Sequence, residues 1–275
     1  RGWTGTPMAD TTTLYREKRT GLVGAGDAAL RAVIRNSAGA VMRKRTEEAD
    51  KLERIADLLS LRAVSMATLD IPDSKRAAKQ DGCEGAVYHA IGNIEGGRQG
   101  FMEDGRAKPL VEPHIFSALT FHAFDIIRPD CSYPTWIKYR KGQPAPKGWD
   151  RHPYAYSYPE RWGLVATMAE IDVDAAIGCV SLGRFQQVVG SPRPDMGWKL
   201  LKFPSAESLF RKLVRSEVDQ LEVMQQFFRA NGALGLLKTK NWRKLAEVYN
   251  GRGNVDEYAP RLATEYQRLR RYYEQ

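Results

Sequence analysis

Apolar residues recur at helical spacing along most of the chain. In residues 8–70 this spacing predicts two or three amphipathic helices. Further helical patterns cover residues 71–94, 164–176, 205–228, 242–249 and 258–273. Strand patterns are scarce, and the best is a short hairpin over residues 101–111 with Asp104-Gly105 as its turn. We therefore expect a mainly α-helical protein with one small β-hairpin.

A change of pattern divides the chain near residue 70. Pro72 interrupts the preceding pattern, and Asp73 or Ser74 can cap a new helix. We therefore predict a small helical N-terminal region over residues 8–70, of unknown role, and a larger domain over residues 71–275. Residues 1–7 precede Met8 and read as a remnant of cloning, and a chain starting at Met8 would carry no export signal of its own.

Composition describes an ordinary globular protein with a basic surface. Of the 275 residues, 43% are hydrophobic and 27% charged, and no apolar run approaches the roughly 18 residues of a membrane helix. Lys and Arg number 42 against 33 Asp and Glu, which gives a net charge of +9. Such a surface favours polyanions, either nucleic acid, an anionic membrane or an anionic bacterial envelope, and charge alone does not choose among them.

Cysteine and histidine give no metal or cofactor signal. The three cysteines have no metal-ligand spacing, and Cys83 and Cys179 are interpreted as small buried hydrophobes. The four histidines are scattered without a ligand pattern, and no phosphate loop or dinucleotide fingerprint is present. We predict neither a metal nor a cofactor, and we interpret His114 as a hydrogen-bonding partner of a carboxylate.

Residues 94–116 carry the main chemical signal. Glu95 ends a helical pattern that stops at Gly96-Gly97. The negative end of the helix dipole, together with burial beside Ile94 and Phe101, would raise the pKa of this carboxyl. An acid that keeps its proton near neutral pH can protonate a glycosidic oxygen. The alternative is an exposed glutamate that merely ends a helix.

A glycosidase also needs a group that activates water or stabilises the transition state. Asp104 is the first candidate for this second carboxylate and Glu112 the second. Asp104 has a structural alternative as part of a turn, and Glu112 as a partner of Arg106 or as a helix cap. Without a second carboxylate facing Glu95, the same acid can act first as acid and then as base, with a hydroxyl of the sugar as nucleophile.

A series of short motifs adds a second signal. They are Ala77-Ala78-Lys79, Gly82-Cys83-Glu84, Glu95-Gly96-Gly97, Gly100-Phe101, Asp104-Gly105-Arg106, Glu112-Pro113-His114-Ile115-Phe116, Ser181-Leu182-Gly183-Arg184-Phe185-Gln186, Arg229-Ala230-Asn231-Gly232 and Tyr249-Asn250-Gly251. In this order and spacing they resemble the N-acetylmuramidase domain of phage endolysins, a lysozyme-like family that cleaves bacterial peptidoglycan. The resemblance covers residues 71–273.

The resemblance implies roles for particular residues. Glu95 matches the catalytic general acid of the family. Phe185 and Gln186, with Ser181 and Gly183 in the same segment, match a motif that lines the substrate cleft. Tyr249-Asn250 matches a pair that borders the glycan groove, and we place His114 on the substrate side as well.

The aromatic residues of the proline-rich segment 128–162 have two readings, stacking on sugar rings or ordering the segment. We predict a sugar-binding role for Tyr158 and a packing role for Trp136, Trp149 and Trp162.

The sequence departs from the family pattern at three positions. The family commonly has Ser after the catalytic Glu, Trp before the Gly of the Phe-Gln motif, and Arg before the motif His. Gly96, Leu182 and Pro113 occupy these positions here. None of the three removes the acid.

These observations together predict a lysozyme-like helical domain with a small hairpin near the catalytic Glu. The resemblance implies cleavage of the β-1,4 bond between N-acetylmuramic acid and N-acetylglucosamine, in bacterial cell lysis. Alternatives are a lytic transglycosylase that gives 1,6-anhydro products, a non-catalytic wall-binding protein, and a nucleic-acid-binding protein, for which no motif is present.

The expected partners are peptidoglycan and an anionic cell envelope, without nucleic acid, and we expect a monomer. The chain would be made in the cytoplasm of the host bacterium and act on peptidoglycan in the periplasm or from outside.

Overall fold

The computed structural model of the protein describes residues 28–137, 144–190 and 192–274, with side chains from residue 44 onwards. The helices are α1 (Ala28–Ser60), α2 (Ile71–Asp81), α3 (Gly85–Glu95), α4 (Pro113–Leu119), α5 (Tyr158–Ile171), α6 (Val173–Gly178), α7 (Gly197–Leu200), α8 (Ala206–Leu213), α9 (Glu217–Ala230), α10 (Leu234–Thr239), α11 (Trp242–Asn250) and α12 (Val255–Tyr273). The strands are β1 (Pro109–Val111), β2 (Val180–Leu182) and β3 (Gln187–Val188), and two 3-10 turns cover Pro153–Ala155 and Arg252–Asn254. The predicted fold class, mainly helical with a small sheet, is confirmed.

Contacts along the chain group residues 1–53 and residues 54–275 into two units. In the first unit the structure describes residues 28–53, which belong to α1, and the helices predicted before residue 28 lie outside the described residues. In the second unit, Leu58 and Leu69 are buried at 2% and 3% exposure. The division predicted between residues 70 and 71 therefore falls inside the second unit. None of the described helices has the length and hydropathy needed to cross a membrane.

Three segments that the apolar spacing predicts as single helices each form two helices in the structure, separated by a capping residue. Gly82 adopts a left-handed conformation (φ +66°) and ends α2 before α3 begins. The Asp172 side chain accepts the Ala175 N–H at 2.9 Å and starts α6. Ser216 starts α9 in the same way, after α8 has ended. In each case the glycine or polar side chain allows the unpaired backbone groups at a helix end to form local hydrogen bonds. The helix therefore ends there, although the apolar spacing of the sequence continues.

A new helix begins near Pro72, as predicted, but its cap is one turn earlier than predicted. Asp70, rather than Asp73 or Ser74, caps α2, because its Oδ1 accepts the Asp73 N–H at 2.7 Å. Pro72 then lies in the first turn of the helix, where its missing N–H costs nothing. The predicted helix at residues 242–249 is confirmed as α11.

The sheet corrects the hairpin prediction. The turn at Asp104-Gly105 exists and is closed by a bridge between Phe101 and Ala107. Strand β1, however, pairs antiparallel with β2 rather than folding back on residues 101–103, and β2 pairs with β3. Both partner strands have at most three residues, too few for an alternating pattern to stand out in the sequence.

Two apolar clusters form the interior of residues 54–275. The first surrounds the sheet and α4, α5, α6 and α8, and includes Phe116, Val165, Met168, Ile177, Val180, Leu182 and Phe210. The second lies among α2, α3, α9, α11 and α12, and includes Tyr88, Ile91, Phe185, Met224, Phe228, Leu245 and Leu262. The β2–β3 turn joins the clusters, because Leu182 packs in the first and Phe185 in the second.

The three cysteines are free within the described residues. Cys179 is buried, as predicted, and so is Cys131, whereas Cys83 is half-buried. Burial raises the pKa of Cys83 and of Cys131 to about 12. These thiols are therefore protonated and act as small apolar groups.

A buried ion pair fixes the β2–β3 turn to α9. Arg184, in the turn, is 1% exposed, and its Nη1 lies 3.0 Å from Oε2 of Glu217, whose side chain is 0% exposed. The Arg184 backbone N–H also donates to the Gln220 side chain at 2.7 Å. Glu217 further accepts the backbone N–H groups of Leu69 at 2.7 Å and Gly100 at 2.6 Å. Both charges are thus held by hydrogen bonds in the interior, which a buried pair requires.

The same arginine reaches α3 and the segment after it. Its Nη2 donates to the Asn93 side chain at 2.6 Å, and its Nη1 donates to the Arg98 carbonyl at 2.7 Å. Asn93, Arg98 and Gly100 lie on either side of Glu95 in sequence. The buried pair therefore fixes the chain both before and after Glu95.

We expect Glu217→Gln to destabilise the protein by about 3–5 kcal/mol, because it leaves the Arg184 charge buried without its partner. Urea unfolding followed by tryptophan fluorescence measures the change. Glu274→Gln is the matched control, since Glu274 pairs with Arg270 on the surface and such pairs contribute about 0–1 kcal/mol. Equal effects of the two substitutions would contradict this role for the ion pair.

Candidate active site

Glu95 is the last residue of α3, a helix whose inner face is buried in the second apolar cluster through Val87, Tyr88 and Ile91. The helix ends at Gly96, whose N–H donates to the Gly92 carbonyl at 3.0 Å. Glu95 is half-buried. The side chain predicted to be the acid therefore projects from the end of a helix that tertiary packing holds in place.

Burial raises the pKa of Glu95 to about 8. A hydrogen bond from Asn250 Nδ2 to Oε1 at 3.5 Å and the charge of Arg261 act in the opposite direction and lower the pKa, but burial outweighs both. The helix C-terminus also disfavours the ionised form. The carboxyl is therefore protonated at neutral pH, as the sequence predicted.

Close packing explains the glycine that follows Glu95. A Cβ atom on Gly96 would lie 2.5 Å from the Gly183 carbonyl oxygen and 2.6 Å from the Arg184 Cα. The segment after Glu95 thus lies directly on the β2–β3 turn, where a side chain has no room. The departure from serine at this position follows from this contact.

Tyr249 holds the end of α11 beside Glu95. Its hydroxyl donates to the Phe185 carbonyl and accepts from Gln187 Nε2 at 2.8 Å. Its ring stacks between those of Phe228 and Tyr258, with centroid distances of 6.2 and 6.4 Å. Burial, followed by the proximity of Glu95, raises the pKa of Tyr249 well above its usual value.

Asn250 follows Tyr249 directly, so the fixed tyrosine positions the amide that reaches Glu95. The structure brings both residues of the predicted pair to the acid.

The motif around Phe185 requires a correction. The Phe185 ring is 0% exposed and packs in the second apolar cluster, so it does not line a surface. Ser181 is buried within β2, and Gly183 forms the turn against the Gln220 side chain. Gln186 is half-buried, and its Nε2 donates to the Gly183 carbonyl at 2.7 Å. Three of the four residues predicted to bind substrate in this motif are buried. The motif therefore supports the site through packing.

Asp104 lies on an exposed turn. Its Oδ1 accepts the Arg106 backbone N–H at 3.0 Å, and its Oδ2 accepts the Arg106 Nε–H at 2.7 Å. Slight burial would raise the pKa of Asp104, but these hydrogen bonds and the Arg106 charge lower it overall. Asp104 is therefore ionised at neutral pH, and its described hydrogen bonds go to Arg106 rather than to Glu95.

Glu112 has an environment more like that of Glu95. Its side chain is 14% exposed, and Oε2 accepts the Tyr154 hydroxyl at 2.5 Å. His114 Nδ1 lies 3.5 Å from the same oxygen but makes no hydrogen bond there, so the predicted hydrogen bond from His114 to a carboxylate is not formed among the described residues. Burial raises the pKa of Glu112 to about 7, with Tyr154 and Arg161 acting against it. Glu112 precedes α4 but its side chain does not cap that helix.

Tyr158, the first residue of α5, is 37% exposed. Lys108 Nζ lies 5.5 Å and the Arg161 guanidinium 5.2 Å from its ring centroid, which are cation–π distances. Trp149 and Trp162 are buried at 9% and 5% exposure, as predicted. Trp136 is 47% exposed and interacts with the Tyr154 side chain.

Comparison with known proteins now decides the family. A sequence model described as N-acetylmuramidase matches residues 84–270. This chain belongs to the N-acetylmuramidase family. It also resembles the crystal structure of a Burkholderia AP3 phage endolysin, with a TM-score of 0.59 and 25% sequence identity over 74% of this chain and 72% of that chain. The search of curated proteins gave no match.

The family assignment and the fold neighbour make this muramidase a glycoside hydrolase of the type that acts on peptidoglycan. The matched residues contain Glu95 and each of the other residues predicted for the site. Within the described ranges, no group of three or more His, Cys, Asp and Glu residues could hold a metal ion.

Sequence reasoning did not single out Arg261 or Tyr154. Arg261 acts on Glu95 across helices that are distant in sequence, and Tyr154 reaches Glu112 from the aromatic segment. Both depend on tertiary contacts, and no local pattern in the sequence marks them.

The raised pKa of Glu95 has a consequence for the stability of this muramidase. Between pH 4.5, the ordinary value, and about pH 8, the folded protein retains a proton that the unfolded chain releases. The free energy of unfolding therefore falls as pH rises through this window. We expect Glu95→Gln to be more stable than the parent by about 4–5 kcal/mol at pH 8.5 and nearly equal at pH 4.

Urea unfolding at the two pH values measures the difference. Asp104→Asn is the control, because the pKa of Asp104 is lowered from 3.8 and its stabilising contribution is lost only below about pH 4, so the difference between this variant and the parent should change little between pH 4 and 8.5. A Glu95→Gln difference that does not change with pH would show that the Glu95 carboxyl titrates normally.

Proposed function

We propose that this muramidase hydrolyses the β-1,4 bond between N-acetylmuramic acid and N-acetylglucosamine, with Glu95 as the general acid, in bacterial cell lysis. The observation that carries the proposal is the protonated, half-buried carboxyl of Glu95 at the end of α3. A proton donor is the main requirement for breaking a glycosidic bond. The N-acetylmuramidase match supplies the substrate class.

In this mechanism Glu95 gives its proton to the glycosidic oxygen as the bond from that oxygen to C1 breaks. Asn250 donates to Oε1, so the transferable proton resides on Oε2. The sugar passes through an oxocarbenium-like state, water adds to C1, and the proton lost by the water goes to a base. Tyr249, fixed by Phe185 and Gln187, keeps Asn250 in place.

Asp104 and Glu112 remain the candidates for the base. Asp104 has the required ionised form at neutral pH, since its pKa lies below the ordinary value of an aspartate. Glu112 has a pKa of about 7 and shares its oxygen with Tyr154, so it is ionised only in part. These environments favour Asp104 as the base and give Glu112 a structural role beside His114.

The surroundings of Glu95 favour one alternative, a lytic transglycosylase. The described groups that act on the Glu95 carboxyl are Asn250 and Arg261, and neither is a carboxylate. Glu95, once deprotonated, can then accept the proton of the C6 hydroxyl of muramic acid as that oxygen attacks C1. The product is a 1,6-anhydro sugar, lighter than the hydrolysed product by one water.

Glu95→Gln tests the assignment. We expect the variant to fold and to pellet with purified peptidoglycan, but to lose activity by about 10²–10⁴-fold, because it cannot donate a proton. Turbidity loss of peptidoglycan suspensions gives the rate, and mass spectrometry of the muropeptides separates hydrolysis from anhydro products. Asn231→Ala, in the turn after α9, is a surface control.

Full activity of Glu95→Gln would overturn the role of Glu95. A parent protein that pellets with peptidoglycan but releases no muropeptide would instead be a wall-binding protein.

The pH profile provides an independent test. We expect kcat/KM to fall as pH rises through about 8, because Glu95 loses the proton that it must donate. Asn250→Ala removes a hydrogen bond that lowers the pKa of Glu95, so its alkaline limb should move to higher pH. Initial rates of muropeptide release between pH 5 and 10 measure both profiles. If the alkaline limb of kcat/KM lies at the same pH in the parent and in Asn250→Ala, a group other than Glu95 controls it.

A further inference from the structure

Nearly all arginines described in residues 54–275 have a partner for the guanidinium. Each makes an ion pair, a hydrogen bond or a ring contact, with two exceptions, Arg98 and Arg261. Both side chains are exposed. Arg98 is three residues after Glu95, and Arg261 is the described cation whose charge acts on the Glu95 carboxyl. The two unpaired guanidinium groups are thus near the acid.

The position of Arg261 follows from the antiparallel packing of α12 on α3. His89 Nδ1 lies 2.7 Å from the Tyr273 hydroxyl, and Asn93 Nδ2 donates to Glu265 Oε1 at 2.7 Å. The residue nearer the C-terminal end of α3 thus contacts the residue nearer the N-terminal end of α12. Arg261 is one turn before Glu265, on the same helix face. It therefore lies beside Glu95, one step beyond the Asn93–Glu265 contact.

Arg261 does not form an ion pair with Glu95. Its charge lowers the pKa of Glu95, yet burial still holds that pKa at about 8, so the carboxyl is neutral at pH 7. The ion pair of Glu265 is made with Arg268 rather than with Arg261. The planar guanidinium of Arg261 consequently has no ion-pair partner among the described residues and can bind an external anion.

We propose that Arg261 binds a carboxylate of the substrate next to the bond that Glu95 cleaves. The proposal rests on the proposed function and adds a determinant of specificity to it. Muramic acid carries a lactyl group that is either a free carboxylate or the attachment point of a peptide with its own carboxylates. A guanidinium matches a carboxylate through two parallel hydrogen bonds. Glycans of N-acetylglucosamine alone present no such group.

Binding in a Glu95→Gln background tests the proposal without interference from catalysis. The added variants are Arg261→Gln and, as a matched control, Arg98→Gln, which removes an equally exposed and unpaired charge that does not act on Glu95. Each protein is pelleted with native peptidoglycan and with peptidoglycan whose carboxylates have been amidated with carbodiimide and ammonia. We expect Arg261→Gln to raise the Kd for native peptidoglycan about tenfold.

Amidated peptidoglycan should bind the Arg261→Gln variant and its parent equally. Arg98→Gln should leave both affinities within about twofold of the parent. Arg261→Lys should recover part of the loss on native peptidoglycan, because it keeps the charge without the planar fork. Equal losses on native and amidated material, or equal losses for Arg98→Gln and Arg261→Gln, would overturn the proposal in favour of a structural effect or diffuse charge.

A third substrate identifies the source of the carboxylate. Glycan strands stripped of peptide by an amidase retain the lactyl carboxylate alone. A tenfold effect of Arg261→Gln on these strands assigns the lactyl group, and an effect confined to intact peptidoglycan assigns the peptide.

Failure of the proposed function would be seen separately. In that case the Glu95→Gln protein would still release muropeptides, whatever Arg261 binds.

Discussion

The ion pair between Arg184 and Glu217 is the interaction on which the site depends. Both side chains are almost completely buried, so the cost of their desolvation must be offset by their mutual attraction and by the hydrogen bonds they make. Those bonds reach Asn93 before the acid, and Arg98 and Gly100 after it. The pair thus joins α3, the segment after Glu95, the β2–β3 turn and α9. A charge network in the interior therefore fixes where the Glu95 carboxyl lies.

Three carboxyl groups of the same chemical type differ because their surroundings differ. Burial keeps Glu95 protonated near neutral pH, since the amide and the cation beside it do not offset the loss of solvation. Arg106 keeps Asp104 ionised. Glu112 is intermediate, buried but bonded to a tyrosine. A protonated and an ionised carboxyl group therefore coexist in one protein at neutral pH.

The sequence predicted what local signals determine. Glu95 at a helix end followed from Gly96-Gly97, and α11 followed from its apolar spacing and terminal glycine. Contacts between distant segments could not be predicted from the sequence. The pairing of β1 with β2, the burial of Phe185 and the proximity of Arg261 to Glu95 join segments far apart in sequence. The prediction of continuous helices across residues 172 and 216 was wrong for a different reason. Asp172 and Ser216 interrupt the helix without interrupting the apolar spacing of the sequence.

The three cysteines do not cross-link the fold. Cys83, Cys131 and Cys179 are free, and burial raises the pKa of each thiol above its ordinary value, so the reactive thiolate form is suppressed. The fold of the described residues relies on apolar packing and on a buried ion pair rather than on sulfur cross-links. A reducing agent therefore has no disulfide to break in this part of the chain.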